Sequence, residues 1–126
     1  GDIYTTATLY CVSCNQYSDG RRKKNIKHIE GALEKIMKLD CVSFEWKNEA
    51  GGEKNNRTQI GLIAQDVETL VPEVVTTDFT GYKYVAYDKL TALLIEAFKE
   101  LKQQVDDQEE LIATLQARLD AIAETK

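Results

Sequence analysis

Hydrophobic and polar positions change period five times along the 126 residues. From Ile3 to Tyr10 the alternation is strict: Ile3, Thr5, Ala7 and Leu9 oppose Tyr4, Thr6, Thr8 and Tyr10. That period of two, in a Thr/Tyr-rich stretch, is strand chemistry, and residues 1–17 read as the end of a β-rich body lying upstream. At Ser18-Asp19-Gly20 the character changes: Arg21, Arg22, Lys23, Lys24 and Lys27 crowd together, and Ile26, Ile29, Leu33 and Ile36 recur at helical spacing. The spacing predicts a helix over about 23–38.

Val42, Phe44 and Trp46 then alternate with polar residues, as in a half-buried strand. Glu49 to Arg57, with Gly51-Gly52 and Asn55-Asn56, reads as a loop or hairpin tip. Gln59 to Ala64 is a short apolar strand, and Gln65 to Leu70 a short helix stopped by Pro72. Glu73–Thr77 and Tyr82–Tyr87 flank Asp78-Phe79-Thr80-Gly81 as a hairpin, and Asp88 suits an N-cap.

From Lys89 to about Ala123 the pattern is one long helix. Leu90, Leu94, Ala97, Leu101, Val105, Gln108, Ile112, Leu115, Leu119 and Ile122 form a heptad seam with one stutter, at Leu101–Val105. Gln108 is a polar break at a core position, the kind that specifies register at some cost in stability. So narrow a stripe calls for partner helices. The alternative is an amphipathic helix folded back on its own domain, which calls for a broader stripe. The fold class is therefore α+β: a small helix and β-hairpin domain followed by a long C-terminal helix forming a coiled coil.

Composition narrows the function. Hydrophobic content of 43% and charge of 29% are globular, and a formal charge of −5 argues against a general nucleic-acid partner. No apolar run approaches the roughly 20 residues of a membrane span, so no membrane partner is expected. The chain starts with Gly rather than Met and shows no secretory signal, as a piece of a longer polypeptide would. Cys11 and Cys14 form a C-x-x-C which, with His28 and Cys41, supplies four possible zinc ligands. Paired-knuckle spacing is missing, however, and reduced, partly buried thiols with no metal and no cofactor are the expectation.

The segment Ser18-Asp19-x-Arg21-x-Lys23-x-Asn25-Ile26 resembles the opening motif of the intramolecular chaperone domain of phage endosialidases, tailspikes and neck or tail appendages, a self-cleaving Ser-Lys peptidase family. Gly61-Leu62-Ile63-Ala64-Gln65-Asp66-Val67-Glu68 with Val71-Pro72-Glu73-Val74-Val75 is similar to its second hallmark. Tyr87-Asp88-Lys89-Leu90 through Ala92–Ala97 is similar to its third. The resemblance covers about residues 18–105. The chain departs from the family pattern at Gly20 and Arg22, where larger or apolar residues are usual.

The resemblance implies a homotrimeric module, its coiled coil trimeric, at the end of a triple-β-helix fibre, in the virion and in the host cytoplasm during assembly. Such a module nucleates folding of the upstream stalk of its own polypeptide and then cuts itself off. Residues 1–17 would be the stalk end and residues 18–126 the chaperone and autopeptidase domain, with the coiled-coil helix over about 89–123. It makes Ser18 the nucleophile, Lys23 the general base and Tyr17–Ser18 the scissile bond, with Asp19, Arg21 and Asn25 in possible supporting roles. The chemistry is sound on its own terms: a Ser hydroxyl needs a neighbouring base, and a Lys amine serves as one only when neutral, which burial and nearby like charge favour. A helix opening at Lys23 would aim the side chain back toward Ser18 and offer free N–H groups to an oxyanion. His28 is a more distant alternative base, and Asp19 either orients Lys23 or caps. The competing function is a non-cleaving trimerisation and receptor-binding tip, with the coiled coil and the loop over Glu49–Arg57 as its working parts.

Overall fold

The structure, a computed structural model, describes residues 1–5, 7–47 and 57–125. The chain divides into two units, one of Gly1–His28 with Asp40–Ile63 and one of Ile29–Leu39 with Ala64–Lys126.

In the first unit, strands β1 (Val42–Phe44) and β2 (Gln59–Gly61) pair antiparallel, with Val42 opposite Gly61 and Phe44 opposite Gln59. Val42 and Phe44 are half-buried and Ser43 is exposed, as the alternation predicts. Phe44 meets Trp46 edge to face, with ring centroids 5.1 Å apart. The antiparallel pairing flanks the predicted loop at Glu49–Arg57, of which residues 49–56 lie outside the described residues. Among the described residues of 1–17 there is no strand, contrary to the alternation, and all of them are exposed. A strand needs a partner edge to satisfy its N–H and C=O groups, and sequence alternation alone cannot supply one.

The second unit is built on helix α3 (Leu90–Glu124), 35 residues long. It packs on the short helix α1 (Ala32–Met37), and helix α2 (Ala64–Leu70) packs on the hairpin of β3 (Val75–Thr77) and β4 (Lys83–Val85). The hairpin register sets Val75 opposite Val85 and Thr77 opposite Lys83. Lys83 Nζ reaches Glu68 at 3.0 Å and Thr77 Oγ1 at 2.9 Å, tying α2 to the hairpin. The buried apolar core among the described residues is Ala32, Val67, Val71, Val74, Leu90, Leu93 and Ala97. All but Ala32 come from the second and third sequence motifs, so those motifs are first of all a packing specification.

The helix expected over 23–38 is much shorter, Ala32–Met37 alone. Asn25 and Gly31 sit in the left-handed region, at φ 54° and 66°, and a right-handed helix cannot pass through either. Five basic residues between 21 and 27 would also stack positive charge on a helix N-terminus, where the dipole is already positive. Gly31 offers no side chain to cap α1. The acceptor comes instead from α3: Glu100 takes the N–H groups of Ala32, at 3.3 Å, and Leu33, at 2.5 Å.

The long helix runs almost as its pattern predicts, but Leu90 and Ala97, assigned by spacing to the seam, lie in the intrachain core. Helix α1 packs against α3. From Leu101 to Thr125 every residue is exposed, as are Leu94, Ile95 and Phe98 before it. The fold class is thus α+β with a long C-terminal helix.

Candidate functional site

The chain around Ser18 is folded by a short turn. Asp19 stands in extended geometry at the start of a 3-10 turn over Gly20–Arg22, and its Oδ1 accepts from the Arg21 N–H at 2.9 Å. The N–H groups of Arg22 and Lys23 bond back to the carbonyls of Asp19 and Gly20, both at 3.1 Å. Lys23 then leaves the turn in extended backbone, at φ −112° and ψ 148°. With the chain reversed in this way, Lys23 Nζ donates to Ser18 Oγ at 2.7 Å. Five residues of sequence have become one hydrogen bond.

The expected route to that proximity is replaced by another. Lys23 does not open a helix; a capped turn does the aiming. The N–H groups of Arg21, Arg22 and Lys23 are engaged within the turn, so the oxyanion donors expected from a helix start there are not on offer. Asp19 is occupied with Arg21: the guanidinium Nε lies 3.2 Å from both carboxylate oxygens, and Nη2 lies 2.8 Å from Oδ2. The Arg21 side chain, with help from its N–H, holds the Asp19 carboxyl below its ordinary range, and the carboxylate in turn raises the guanidinium. Asn25 contributes backbone, as a left-handed residue two positions after Lys23. Tyr17 presents its ring to the Arg22 guanidinium, whose central carbon is 5.2 Å from the ring centroid.

Ser18 and Lys23 are both exposed in the single chain. The two side chains are within hydrogen-bond distance, and this chain's own described residues do not screen either from solvent. Cys11, Cys14 and Cys41 are exposed thiols rather than partly buried ones, because the segments that carry them are not packed into a core. Of the residues assigned to the seam, Leu94, Leu101, Val105, Gln108, Ile112, Leu115, Leu119 and Ile122 are all exposed on α3.

One residue was missed. Phe98 is 70% exposed, while its neighbour Ala97 is 4% exposed. With Phe98 in place of Ala97 the exposed series becomes Leu94, Phe98, Leu101, Val105, Gln108, Ile112, Leu115, Leu119 and Ile122. Its spacings alternate 4 and 3 throughout, and the stutter disappears. The regular spacing itself was the available signal.

Residues 18–76 match a peptidase family described as chaperone of endosialidase. The match begins at Ser18, the residue that Lys23 contacts. The chain is 36% identical over 113 residues to the long tail fiber protein Gp37 of Enterobacteria phage K3, and equally so to that of phage T2. It is 30% identical over 120 residues to the same protein of Salmonella phage S16. These alignments cover 86%, 86% and 85% of the chain, but only 9%, 8% and 16% of the relatives' length.

Proposed function

Residues 18–76 belong to the endosialidase-chaperone family, and from that premise we propose that the chain is an intramolecular chaperone of a phage tail fibre that releases itself by autoproteolysis at Tyr17–Ser18. Three copies associate through the α3 seam, hold three upstream stalk segments in register while they fold, and then cut. The contact between Lys23 Nζ and Ser18 Oγ carries the reading.

The cut follows from placing the nucleophile just after the bond it attacks. Neutral Lys23 takes the Oγ proton, and Oγ attacks the Tyr17 carbonyl carbon through a five-membered ring. The C–N bond breaks, the Ser18 nitrogen leaves as an amine carrying a proton, and the Tyr17 acyl group rests on Oγ as an ester. Water then adds to the ester, giving a Tyr17 carboxylate and a chain that begins at Ser18 with its hydroxyl restored. One such event within about an hour requires a barrier near ~22 kcal/mol, a modest demand by enzyme standards. Association of the three chains supplies the exclusion of water that exposed Ser18 and Lys23 lack in isolation.

The test is the intact mass of the expressed chain with and without Ser18→Ala. The expected result is a species starting at Ser18 for the unmodified trimer and none for the variant. A trimer that never cuts would overturn the peptidase role and leave the non-cleaving fibre tip as the better reading.

A further inference from the structure

Three consecutive basic residues fold back onto three consecutive residues before the turn. Arg21 meets Asp19, Arg22 meets Tyr17, and Lys23 meets Ser18. The last two contacts bracket a single peptide bond. Lys23 holds the hydroxyl on the Ser18 side, and the Arg22 guanidinium lies over the ring on the Tyr17 side, 5.2 Å from its centroid. The Tyr17 ring is otherwise open to solvent, the residue being 92% exposed. Arg21 does not take the place of Arg22, because its guanidinium is engaged by both oxygens of Asp19.

We propose that Arg22 is a positioning residue for the Tyr17–Ser18 bond, and that the site for this reason selects an aromatic side chain immediately before Ser18. The inference rests on the autoproteolytic reading above. Attack through a five-membered ring requires the Tyr17 carbonyl to face Oγ, which means restricting rotation about the bonds flanking that carbonyl. Lys23 restrains only the Ser18 half. A guanidinium set over the ring restrains the acyl half from the same three-residue turn, so both halves are referred to one frame. Arg suits the task better than Lys, because its planar, weakly hydrated cation lies flat on an aromatic face.

An exposed cation–π contact of this kind corresponds to about a two- to fivefold change in rate. The experiment is the time course of cutting of the full chain, followed by mass, for Arg22→Ala, Tyr17→Leu, Tyr17→Phe and the Arg22→Ala/Tyr17→Leu pair. Arg22→Ala and Tyr17→Leu should each slow cutting by that factor. Tyr17→Phe should recover what Tyr17→Leu loses. The double variant should be no slower than either single one, since both remove the same contact. Cutting that proceeds while the two single changes leave the rate unaltered, or add independently, would overturn this inference and leave the autoproteolytic reading intact. No cutting by the unmodified trimer would overturn that reading itself. In the uncut Ser18→Ala chain, the Arg22 side-chain protons next to the guanidinium should be shifted upfield by the ring, and the shift should vanish with Tyr17→Leu. Its absence would overturn the contact whether or not the chain cuts.

Discussion

Ala97 and Phe98 are neighbours on α3 that face different surroundings: Ala97 is 4% exposed against α1, and Phe98 is 70% exposed. At 3.6 residues per turn, one step along the helix turns the side chain by about 100°. Leu90, Leu93 and Ala97 thus share the inward face with Glu100, while Leu94, Phe98 and Leu101 share the next face round. One helix presents a packed face and an exposed apolar face with residues that interleave in sequence.

The packed face and the proposed association face should separate by mutation. Ala97→Leu overpacks the contact with α1 and should cost about 1–3 kcal/mol of domain stability in urea unfolding. Phe98→Ala should leave that unit's folding intact and weaken chain association, as read by sedimentation across a dilution series. Ile112→Asp should dissociate the chains outright. Association unaffected by Phe98→Ala, with Ala97→Leu weakening it, would return Ala97 to the seam.

Glu100 supplies the cap that Gly31 lacks. Glu100→Ala should leave the N–H groups of Ala32 and Leu33 without their acceptor in a partly buried position, at a cost of about 1–3 kcal/mol. Glu100→Gln keeps one acceptor and should recover part of the loss. Equal stability of all three chains in chemical denaturation would show that the cap contributes nothing.

Lys23→Arg keeps the charge and length of the side chain but removes its ability to accept a proton. Cutting should fall by at least ~10²-fold, the usual contribution of a positioned base. Asp19→Ala should slow it less, by loosening the turn that brings Lys23 to Ser18. A Lys23→Arg chain that cuts at the unmodified rate would remove Lys23 as the base, and His28 would become the next candidate.

The tip of the β3–β4 hairpin is organised by one carboxylate. Asp78 accepts from the Thr80 hydroxyl and N–H, the Tyr84 hydroxyl and the Tyr82 N–H. The Thr80 side chain first, then Tyr84, holds its pKa below the ordinary Asp value. A depressed carboxyl stabilises the fold above its unfolded-state value, and that contribution is lost as pH falls through the folded-state value. The turn should therefore stay ordered through pH 5 and open only below about pH 4, the ordinary Asp range. An NMR titration of the Asp78 carboxyl with its midpoint at or above that range would contradict this.

The alternations at Val42–Phe44 and around Asp78–Gly81, and the long helix from Leu90, were legible because each depends only on local spacing. A side chain's face is set by the period of its own element, whatever lies across from it. The same holds for the motif residues Val67, Val71, Val74, Leu90 and Leu93, whose apolar character is a demand for burial wherever they sit. Three matters were decided by tertiary structure. The helix expected from residue 23 lost its first turns because Asn25 and Gly31 take left-handed backbone, which helical spacing does not register. Ala97 went inward and Phe98 outward because α1 covers one flank of α3 and leaves the next uncovered, a choice that a repeat of 3 and 4 permits either way. Lys23 met Ser18 through a 3-10 turn held by Asp19, because a capped turn satisfies its own backbone donors in three residues, whereas a helix begun in a cluster of like charges has nothing to offset them.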